Sequence, residues 1–292
     1  MAAIAVAGFT WASISQVNNE QSITQEGQIA ERYNNAVGNL EGETADVRLG
    51  GIYALQRIMN DSAKDQPAVI EVLSGYVRVQ TDPAKLGKKL PPKPQADVGA
   101  ALRVLRYRDA TRDGDGRIDL SSSHLANADL YGADLVVSNM SGVNLDGAVL
   151  TLAELERASL GGAKLRGTIL NQAHMSETIL IDADLTRADL SYAELPGAFL
   201  QKADLSYANL SKAELSGADL TEANLTCTDL RGAIFVGPQG PYVSFPTITP
   251  KQLLSARIDF TTILPRELTD IPELEARMRA VTAGRDNCPK NE

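Results

Sequence analysis

Side chains that could perform catalysis are few in this chain. The two histidines, His124 and His174, are fifty residues apart, and no HExxH, paired CxxC, GxSxG or phosphate-loop motif occurs. Those spacings are the ones that zinc, thiol, serine and nucleotide chemistry require. We therefore expect no catalytic residue and no enzyme, and we predict neither a metal site nor any other cofactor.

An acidic, glycine-rich segment, Asp113-Gly114-Asp115-Gly116, invites comparison with a calcium-binding loop. In an alignment with the EF-hand loop, Thr111 takes the place of the first ligand and Ser122 takes the place of the final bidentate carboxylate. Both essential ligands are thus missing. We predict a tight turn at this segment rather than a calcium site.

The dominant pattern is a five-residue repeat that runs from Ile118 to Phe235. A large apolar residue recurs at every fifth position from 120 onward, and 21 of these 24 positions hold leucine. The residue two places earlier is small, and it is alanine in 17 units, as in Ala203-Asp204-Leu205-Ser206-Tyr207. A period of five fits neither a helix of about 3.6 residues per turn nor a strand whose side chains alternate between two faces.

A chain that turns a corner after every fifth residue can point all of these leucines inward. Four corners would close a coil, and stacked coils would bury one continuous core, as in other solenoids. Four large side chains per coil would fill the axis, which explains why the residues beside them are small. We expect the repeat to form about six such coils.

These units resemble the pentapeptide-repeat family, and the resemblance covers all 24 consecutive units. It implies a mainly β fold, a right-handed quadrilateral β-helix. It also implies a non-enzymatic scaffold that mediates protein–protein interaction through a partner that the sequence does not name. Some family members protect DNA gyrase as acidic rods that resemble duplex DNA. An acidic DNA mimic that binds gyrase or another topoisomerase, and either inhibits it or protects it from inhibitors, is therefore the alternative.

The net charge of −9 arises in the repeat, which holds 16 acidic and 7 basic residues. This acidity argues against direct nucleic-acid binding, which requires a basic surface. The residue before each leucine should point outward, and residues twenty apart should stack on one face. Two such columns form a candidate acidic surface for a protein partner, unless their carboxylates are merely solvated. Its members are Asp134, Glu154, Glu194 and Glu214 in one column and Asp129, Asp189 and Asp229 in the next.

A separate column places Ile179, Ile181 and Phe199 outward together. Exposed apolar clusters often mark contact surfaces. We consider these three residues a candidate contact patch, with packing beneath the N-terminal helices or the C-terminal tail as the alternative.

Residues 1–17 carry no charged side chain. They are short for a membrane-spanning helix, which needs about 20 apolar residues, so a membrane anchor and a soluble packing helix both stay open. The segment 46–62 resembles one found ahead of pentapeptide repeats in actinobacterial membrane-associated proteins. We predict membrane association through the single N-terminal segment 1–19, and a cytoplasmic location if that segment is only a packing helix.

The rest of the chain divides by composition and periodicity. We predict an α-helical domain at 20–80, a Pro/Lys linker at 81–95, a helix and turn at 96–117 that cap the solenoid, the repeat itself at 118–235, and a C-terminal cap at 236–292. The last coil of a solenoid leaves an unpaired edge that invites association. A homodimer through a solenoid end is therefore the alternative to the cap.

Two cysteines, Cys227 and Cys288, are too few for a disulfide framework. We predict that both are free thiols in a protein of a reducing compartment.

Overall fold

The computed structural model describes residues 26–87, 90–236, 247–285 and 288. Over these ranges the chain forms an N-terminal group of helices, a coiled repeat and a helical C-terminal segment. The membrane anchor that we predict at residues 1–17 lies outside the described residues. None of the helices in the described ranges is long and apolar enough to cross a bilayer.

The predicted N-terminal helices are confirmed. Helix α1 covers 26–40, α2 covers Ala45–Asp61, α3 covers Gln66–Thr81, α4 covers Pro83–Leu86 and α5 covers Ala96–Arg106. The apolar stripes of these helices, including Ile52 and Leu73, are buried in a common core. The helices approach closely at Gly51, where a β-carbon would lie 2.6 Å from the carbonyl oxygen of Ala36.

A buried polar network fixes α2 and α3 against α5. The Asp97 carboxylate accepts hydrogen bonds from Arg48 Nε at 2.6 Å and from the Tyr76 hydroxyl at 2.7 Å. Burial alone would raise the pKa of Asp97, but the hydrogen bonds from Tyr76, Arg48 and the Val98 main chain, together with the charge of Arg48, lower the pKa overall. The pKa of Tyr76 is raised, first by burial and then by its bond to Asp97.

Parallel bridges between residues twenty apart define the repeat region. They form four columns, one for each five-residue unit of a coil, which we call the first to fourth faces. The first face contains Asp119, Asn139, Ser159, Ile179, Phe199 and Asp219; the second His124, Asn144, Lys164, Asp184, Asp204 and Asn224; the third Asp129, Val149, Ile169, Asp189, Asn209 and Asp229; the fourth Asp134, Glu154, His174, Glu194, Glu214 and Ile234. In the described part of the chain every bridge joins single residues, and no extended strand forms.

The inward leucine ladder is confirmed. All 24 large apolar residues of the repeat are at most 3% exposed. They form one continuous core with the N-terminal helices and with the C-terminal segment. Threonine replaces alanine at some inward positions because its hydroxyl finds a partner there, as when Thr168 donates to the Leu145 carbonyl at 2.9 Å.

Each corner of the coil contains one residue with positive φ, two places after the leucine. Glycine fills some of these positions, but fifteen of them hold other residues, from Ser122 to Cys227. A left-handed conformation is costly for residues with a β-carbon. The ladder of hydrogen bonds between coils must therefore outweigh this cost at each corner.

The N-terminal helices cover the open edge of the first coil. All four bridge residues of that coil are engaged: Asp119 pairs with Arg78, the main-chain nitrogen of His124 donates to Thr81 O at 3.1 Å, Asp129 pairs with Arg106 at 3.1 Å, and Arg108 donates to Asp134 O at 2.7 Å. The linker also participates, because His124 Nε2 lies 2.8 Å from Pro91 O and Asn127 donates to Pro92 O. The linker is thus docked on the coil, and its prolines do not act as a free spacer.

The C-terminal segment covers the last coil. Helix α6 covers Pro250–Ser255, α7 covers Arg266–Thr269 and α8 covers Pro272–Thr282. Between α6 and α7 the chain adds half a coil, in which Arg257 bridges Asp229 on the third face and Ile263 bridges Ile234 on the fourth face. We name residues 256–264 the half coil.

The prediction of two free thiols is wrong. Cys227 and Cys288 form a disulfide, with 5.5 Å between their α-carbons. Cys288 belongs to a polar tail whose sequence indicates no contact, but the C-terminal segment folds over the last coil and brings Cys288 beside Cys227. The prediction of a reducing compartment loses its basis, because disulfides persist mainly in oxidising compartments.

Candidate interaction surface

The repeat holds its outward side chains in fixed positions. From position 120 to position 215 the nitrogen of each inward leucine or methionine donates to a carbonyl of the next coil, as in Leu165 N to Asp184 O at 2.7 Å. The bridge nitrogen donates back, as in Asp184 N to Ala163 O at 2.9 Å. Because the residues before and after each bridge residue point inward, as Ala183 and Leu185 do, the bridge side chain points outward.

Aspartate and asparagine at the bridge positions have a local structural role. Their side-chain oxygen accepts a hydrogen bond from the main-chain nitrogen two residues later, for example from Ser191 to Asp189 at 3.1 Å and from Arg231 to Asp229 at 3.2 Å. This is an Asx turn, and it stabilises the corner of the coil. The carboxylates of these aspartates therefore do not by themselves indicate a partner.

Glutamate at the bridge position occurs only on the fourth face, at Glu154, Glu194 and Glu214. Its side chain is one methylene longer, and no main-chain hydrogen bond from the following corner is found for these three residues among those described. The structure of the coil therefore does not explain why three glutamates stack on one face.

The fourth face and the corner that follows it concentrate negative charge. They contain six carboxylates and one basic side chain: Asp134, Glu154, Glu156, Glu177, Glu194 and Glu214 against Arg157. The second face and its corner are balanced: Asp146, Asp184 and Asp204 against Lys164, Arg166 and Arg187. The negative charge of the repeat is thus concentrated on the fourth face rather than spread evenly over the four faces.

Within the fourth face the glutamates differ in their partners. Glu194 lies 2.9 Å from Nδ1 of His174, and the Ser216 hydroxyl donates to Glu214. Glu154 is exposed, and the described residues supply no ion pair to it. At the corner that follows Glu154, Arg157 pairs with Glu156 at 2.6 Å.

Three of the predicted aspartates lie in contacts within the fold. Asp129 pairs with Arg106, and Asp134 lies under Arg108, so both belong to the contact with the N-terminal helices. Asp229 pairs with Arg231 at 2.6 Å and with Arg257 of the half coil at 3.6 Å. Its burial favours a raised pKa, but the bonds from these arginines lower the pKa overall.

The remaining aspartate of the third face, Asp189, accepts a hydrogen bond from Asn209 at 2.9 Å. Of the two columns in the predicted acidic surface, only the glutamates of the fourth face accept no main-chain hydrogen bond from the following corner among the described residues.

The predicted apolar patch is exposed. Ile179 and Phe199 are bridge partners on the first face, and Ile181 lies at the adjoining corner. Their exposed fractions are 36%, 41% and 37%, so described residues bury none of the three. Packing beneath the helices is not the arrangement that the structure shows.

The acidic turn and the two histidines, which the sequence offers as candidates for chemistry, make contacts within the fold. The Asp113 carboxylate accepts hydrogen bonds from the side chains of Arg108 and Gln66, so partners within the protein already occupy the acidic turn. His124 is buried against the linker, and His174 lies on the fourth face. Among the described residues no group of His, Cys, Asp and Glu side chains could hold a metal ion.

The family model described as "Pentapeptide repeats (8 copies)" matches overlapping segments of the chain. These are 117–151, 138–172, 153–191, 168–206, 183–221 and 198–237. The repeat region belongs to the pentapeptide-repeat family. The predicted family is thereby confirmed for the coiled part of the chain.

Solved structures of pentapeptide-repeat proteins resemble this chain. HetL, a protein involved in heterocyst differentiation regulation from the cyanobacterium Nostoc sp. strain PCC 7120, is 40% identical, with 40% of this chain and 55% of HetL covered and a TM-score of 0.40. Rfr23 from the cyanobacterium Cyanothece 51142 is 26% identical, with coverage of 49% and 91% and a TM-score of 0.23.

QnrB1, a plasmid-mediated fluoroquinolone resistance protein, is 17% identical, with coverage of 49% and 82% and a TM-score of 0.24. The match with HetL spans about half the length of that protein. No curated protein matches the chain.

Two features of the chain were not predicted from the sequence, the disulfide and the half coil. The half coil keeps the inward pattern at Ile258 and Leu264, which are 0% and 7% exposed. They are six residues apart instead of five because the corner between them, residues 259–261, has one extra residue. The triplets Ala256-Arg257-Ile258 and Thr262-Ile263-Leu264 are the signal that could have revealed it.

Proposed function

We propose that the chain is a non-enzymatic scaffold that binds a protein partner with a basic surface through the fourth face of its repeat. The observation that carries this proposal is the restriction of bridge-position glutamate to that face. Aspartate would serve the corner of the coil better, since it can accept the main-chain hydrogen bond. A stack of like charges also destabilises the fold by a modest amount, so a partner is the physical reason that we assign to it.

Affinity capture with the full chain as bait tests this function. A Glu154→Gln/Glu194→Gln double variant removes two charges from the fourth face, and Asp182→Asn/Glu222→Gln removes two exposed charges elsewhere on the repeat. We expect the first variant to lose a salt-sensitive partner that the second retains, because close charge pairs at an interface contribute to affinity and to association rate. Equal retention or equal loss by the two variants would exclude the fourth face.

The same charge asymmetry favours a second candidate, an acidic DNA mimic that acts on gyrase or another topoisomerase. Such a rod would compete with DNA for a basic groove. A supercoiling assay with micromolar protein tests it, and the absence of any effect would exclude it. If an effect occurs, Glu154→Lys, Glu194→Lys and Glu214→Lys together should abolish it; Asp134 is left unchanged because it lies in the contact with Arg108.

The apolar patch of Ile179, Ile181 and Phe199 is proposed as a second contact surface on the first face. Its exposure supports the assignment. Ile181→Ser should weaken capture of a partner that uses this face and leave capture through the fourth face unchanged.

The remaining predictions about organisation also stand as proposals. We propose that the coil is a right-handed quadrilateral β-helix, as the family resemblance implies, and that the six segments predicted from the sequence are the units of the chain. Four bridge columns support the four-sided form. A homodimer through a solenoid end is less well supported than a cap, because helices cover the described edge at each end.

Membrane tethering through residues 1–17 is proposed only on the absence of charge in that segment. Fractionation of cells that express the full chain tests it. Recovery of the protein in the membrane pellet, with release by detergent and not by salt, is the expected result, and full recovery in the supernatant would exclude a tether.

A further inference from the structure

The disulfide joins the last complete coil to the end of the chain. Cys227 lies at the corner after the second face, and its nitrogen donates to Ser255 O at 2.8 Å. Cys288 follows the end of α8 by six residues. The bond therefore fastens the region that contains α8 to the repeat.

Helix α8 has few other attachments among the described residues. It has 11 residues, of which Leu274 and Val281 are buried and Met278 packs against the core, and it contacts the short helices α6 and α7. Its main polar tie is Arg277, whose Nε donates to Ala256 O at 2.9 Å and whose Nη2 lies 3.9 Å from Cys288 Sγ. A helix of this length is marginal in water without tertiary support.

The half coil beneath α8 is attached more firmly. Arg257 N donates to Thr228 O at 2.8 Å, and Ile263 N donates to Ala233 O at 2.9 Å. The reciprocal bonds from Leu230 and Phe235 to the half coil are also present, both at 2.9 Å. These attachments do not depend on the disulfide.

We propose that the Cys227–Cys288 disulfide is a redox-sensitive latch that holds α8 over the half coil. When the bond is reduced, α8 is released while the half coil and the repeat stay folded. The reductant is a thiol, for which a dithiol such as dithiothreitol serves as the probe. The sulfur–sulfur bond of the protein breaks, the two dithiol sulfurs form a disulfide with each other, and their two protons end on Cys227 and Cys288.

The length of the loop that the disulfide closes determines how much reduction can increase the opening of α8. The two cysteines are 61 residues apart in sequence. A cross-link over a loop of this length restricts the open chain enough to change an opening equilibrium by at most about a thousandfold. Part of that restriction is retained by the half coil, so we expect an increase of about tenfold or more in the opening of α8.

Hydrogen exchange of the full chain, followed by mass spectrometry with and without dithiothreitol, tests the latch. We expect peptides from 272–282 to exchange about tenfold faster or more after reduction. Peptides that contain Arg257 and Ile263 should change much less, and peptides from 140–200 should not change. Thiol labelling of the untreated protein should detect no free cysteine.

Two variants separate the latch from a general loss of stability. Cys288→Ser, which changes only the end of the chain, should exchange like reduced protein with or without dithiothreitol. Leu274→Ala removes a buried side chain of α8, so in the oxidised protein it should speed exchange of α8 without exposing a free thiol, and dithiothreitol should then increase that exchange further. Unchanged exchange of α8 on reduction, simultaneous exposure of the whole repeat, or free thiols in untreated protein would each overturn the proposal.

Discussion

At the scale of single residues, the corner of each coil shows how strongly the fold constrains its chain. Fifteen non-glycine residues adopt positive φ at the same position of the five-residue unit. Asn127 suits this conformation, whereas a β-branched residue such as Val137, with φ of 57°, does not. Sequence alone does not reveal this, since many different residue types occur at the position.

Replacement of Val137 with asparagine should stabilise the protein. Asparagine tolerates the left-handed region that valine resists, so the free energy of unfolding should rise by about 1 kcal/mol. Urea denaturation measures the change. Val136→Asn, in the same corner but without positive φ, is the matched control and should change stability by less than about 0.5 kcal/mol; equal effects of both would contradict strain at Val137.

Asp97 is the residue whose loss should most damage the N-terminal helices. Its side chain is 2% exposed and neutralises Arg48. Asp97→Ala leaves that guanidinium without its carboxylate and should cost about 3 kcal/mol, the usual penalty for breaking a buried ion pair. Thermal denaturation measures it, and Asp61→Ala, which removes the exposed pair with Arg32, should cost less than about 1 kcal/mol.

At the scale of elements, regular periodicity decides what the sequence can predict. The leucine repeat and the amphipathic helices were predictable because each has its own period. The half coil was missed because a single extra residue between Ile258 and Leu264 breaks the period of five and hides its two triplets. The disulfide was not predictable, because it depends on the path of the tail and on no local pattern.

The sequence also could not predict which residues of the candidate surface are used in contacts at the first coil. Stacking predicts that Asp129 and Asp134 face outward with the glutamates, and they do. It cannot predict that arginines from a preceding helical segment reach them. Only the comparison of aspartate with glutamate at the bridge position, available once the hydrogen bonds are known, separates structural from unexplained carboxylates.

Arg108 should be the main polar attachment of the helices to the coil. Its side chain is 4% exposed and donates to Asp113 and to the carbonyls of Leu105 and Asp134. Arg108→Ala should destabilise the protein by about 3 kcal/mol, because Asp113 loses its buried partner. Hydrogen exchange should increase in the first coil before the later coils. Arg117→Ala, at an exposed neighbour, is the control and should have little effect.

The C-terminal cap should open in acid. The pKa of Asp219 is lowered: burial opposes this, but hydrogen bonds from Thr221 and Thr247 outweigh it. Burial likewise opposes a lowered pKa of Asp229, but the hydrogen bonds and the charge of Arg231 lower this pKa overall. Because the folded pKa lies below the ordinary value of 3.8, the stabilisation is complete above that value and is lost as pH falls through the folded pKa.

Hydrogen exchange, corrected for intrinsic rates, should therefore show the cap losing protection as pH falls below about 4. The amides to follow are Leu220, which donates to Thr247, and Leu230, which donates to Arg257. Leu150, bonded to Ile169 in the middle of the repeat, is the internal control. Asp219→Asn combined with Asp229→Asn should remove the pH dependence; its persistence would assign it to other groups.

At the scale of the whole molecule, the chain is a stack in which each coil contacts mainly the coils next to it. One core nevertheless runs from the N-terminal helices to the C-terminal segment. Each end of the stack is closed by helices, and neither end exposes a long edge within the described residues. Coil number should consequently be adjustable, whereas coil length should not.

Deletion of residues 179–198 should give a folded protein that is one coil shorter. The cut removes twenty residues, so every later side chain keeps its face and Ser159 becomes the bridge partner of Phe199. Deletion of residues 179–196 removes almost the same chain but shifts all later leucines out of the inward position, and the C-terminal half should lose its core. Protection of the Leu210 amide, which donates to Asp229 O at 2.8 Å, measures the outcome. Protection of the Leu210 amide from hydrogen exchange in both variants would mean that the five-residue spacing of the inward leucines is not what holds the coils together.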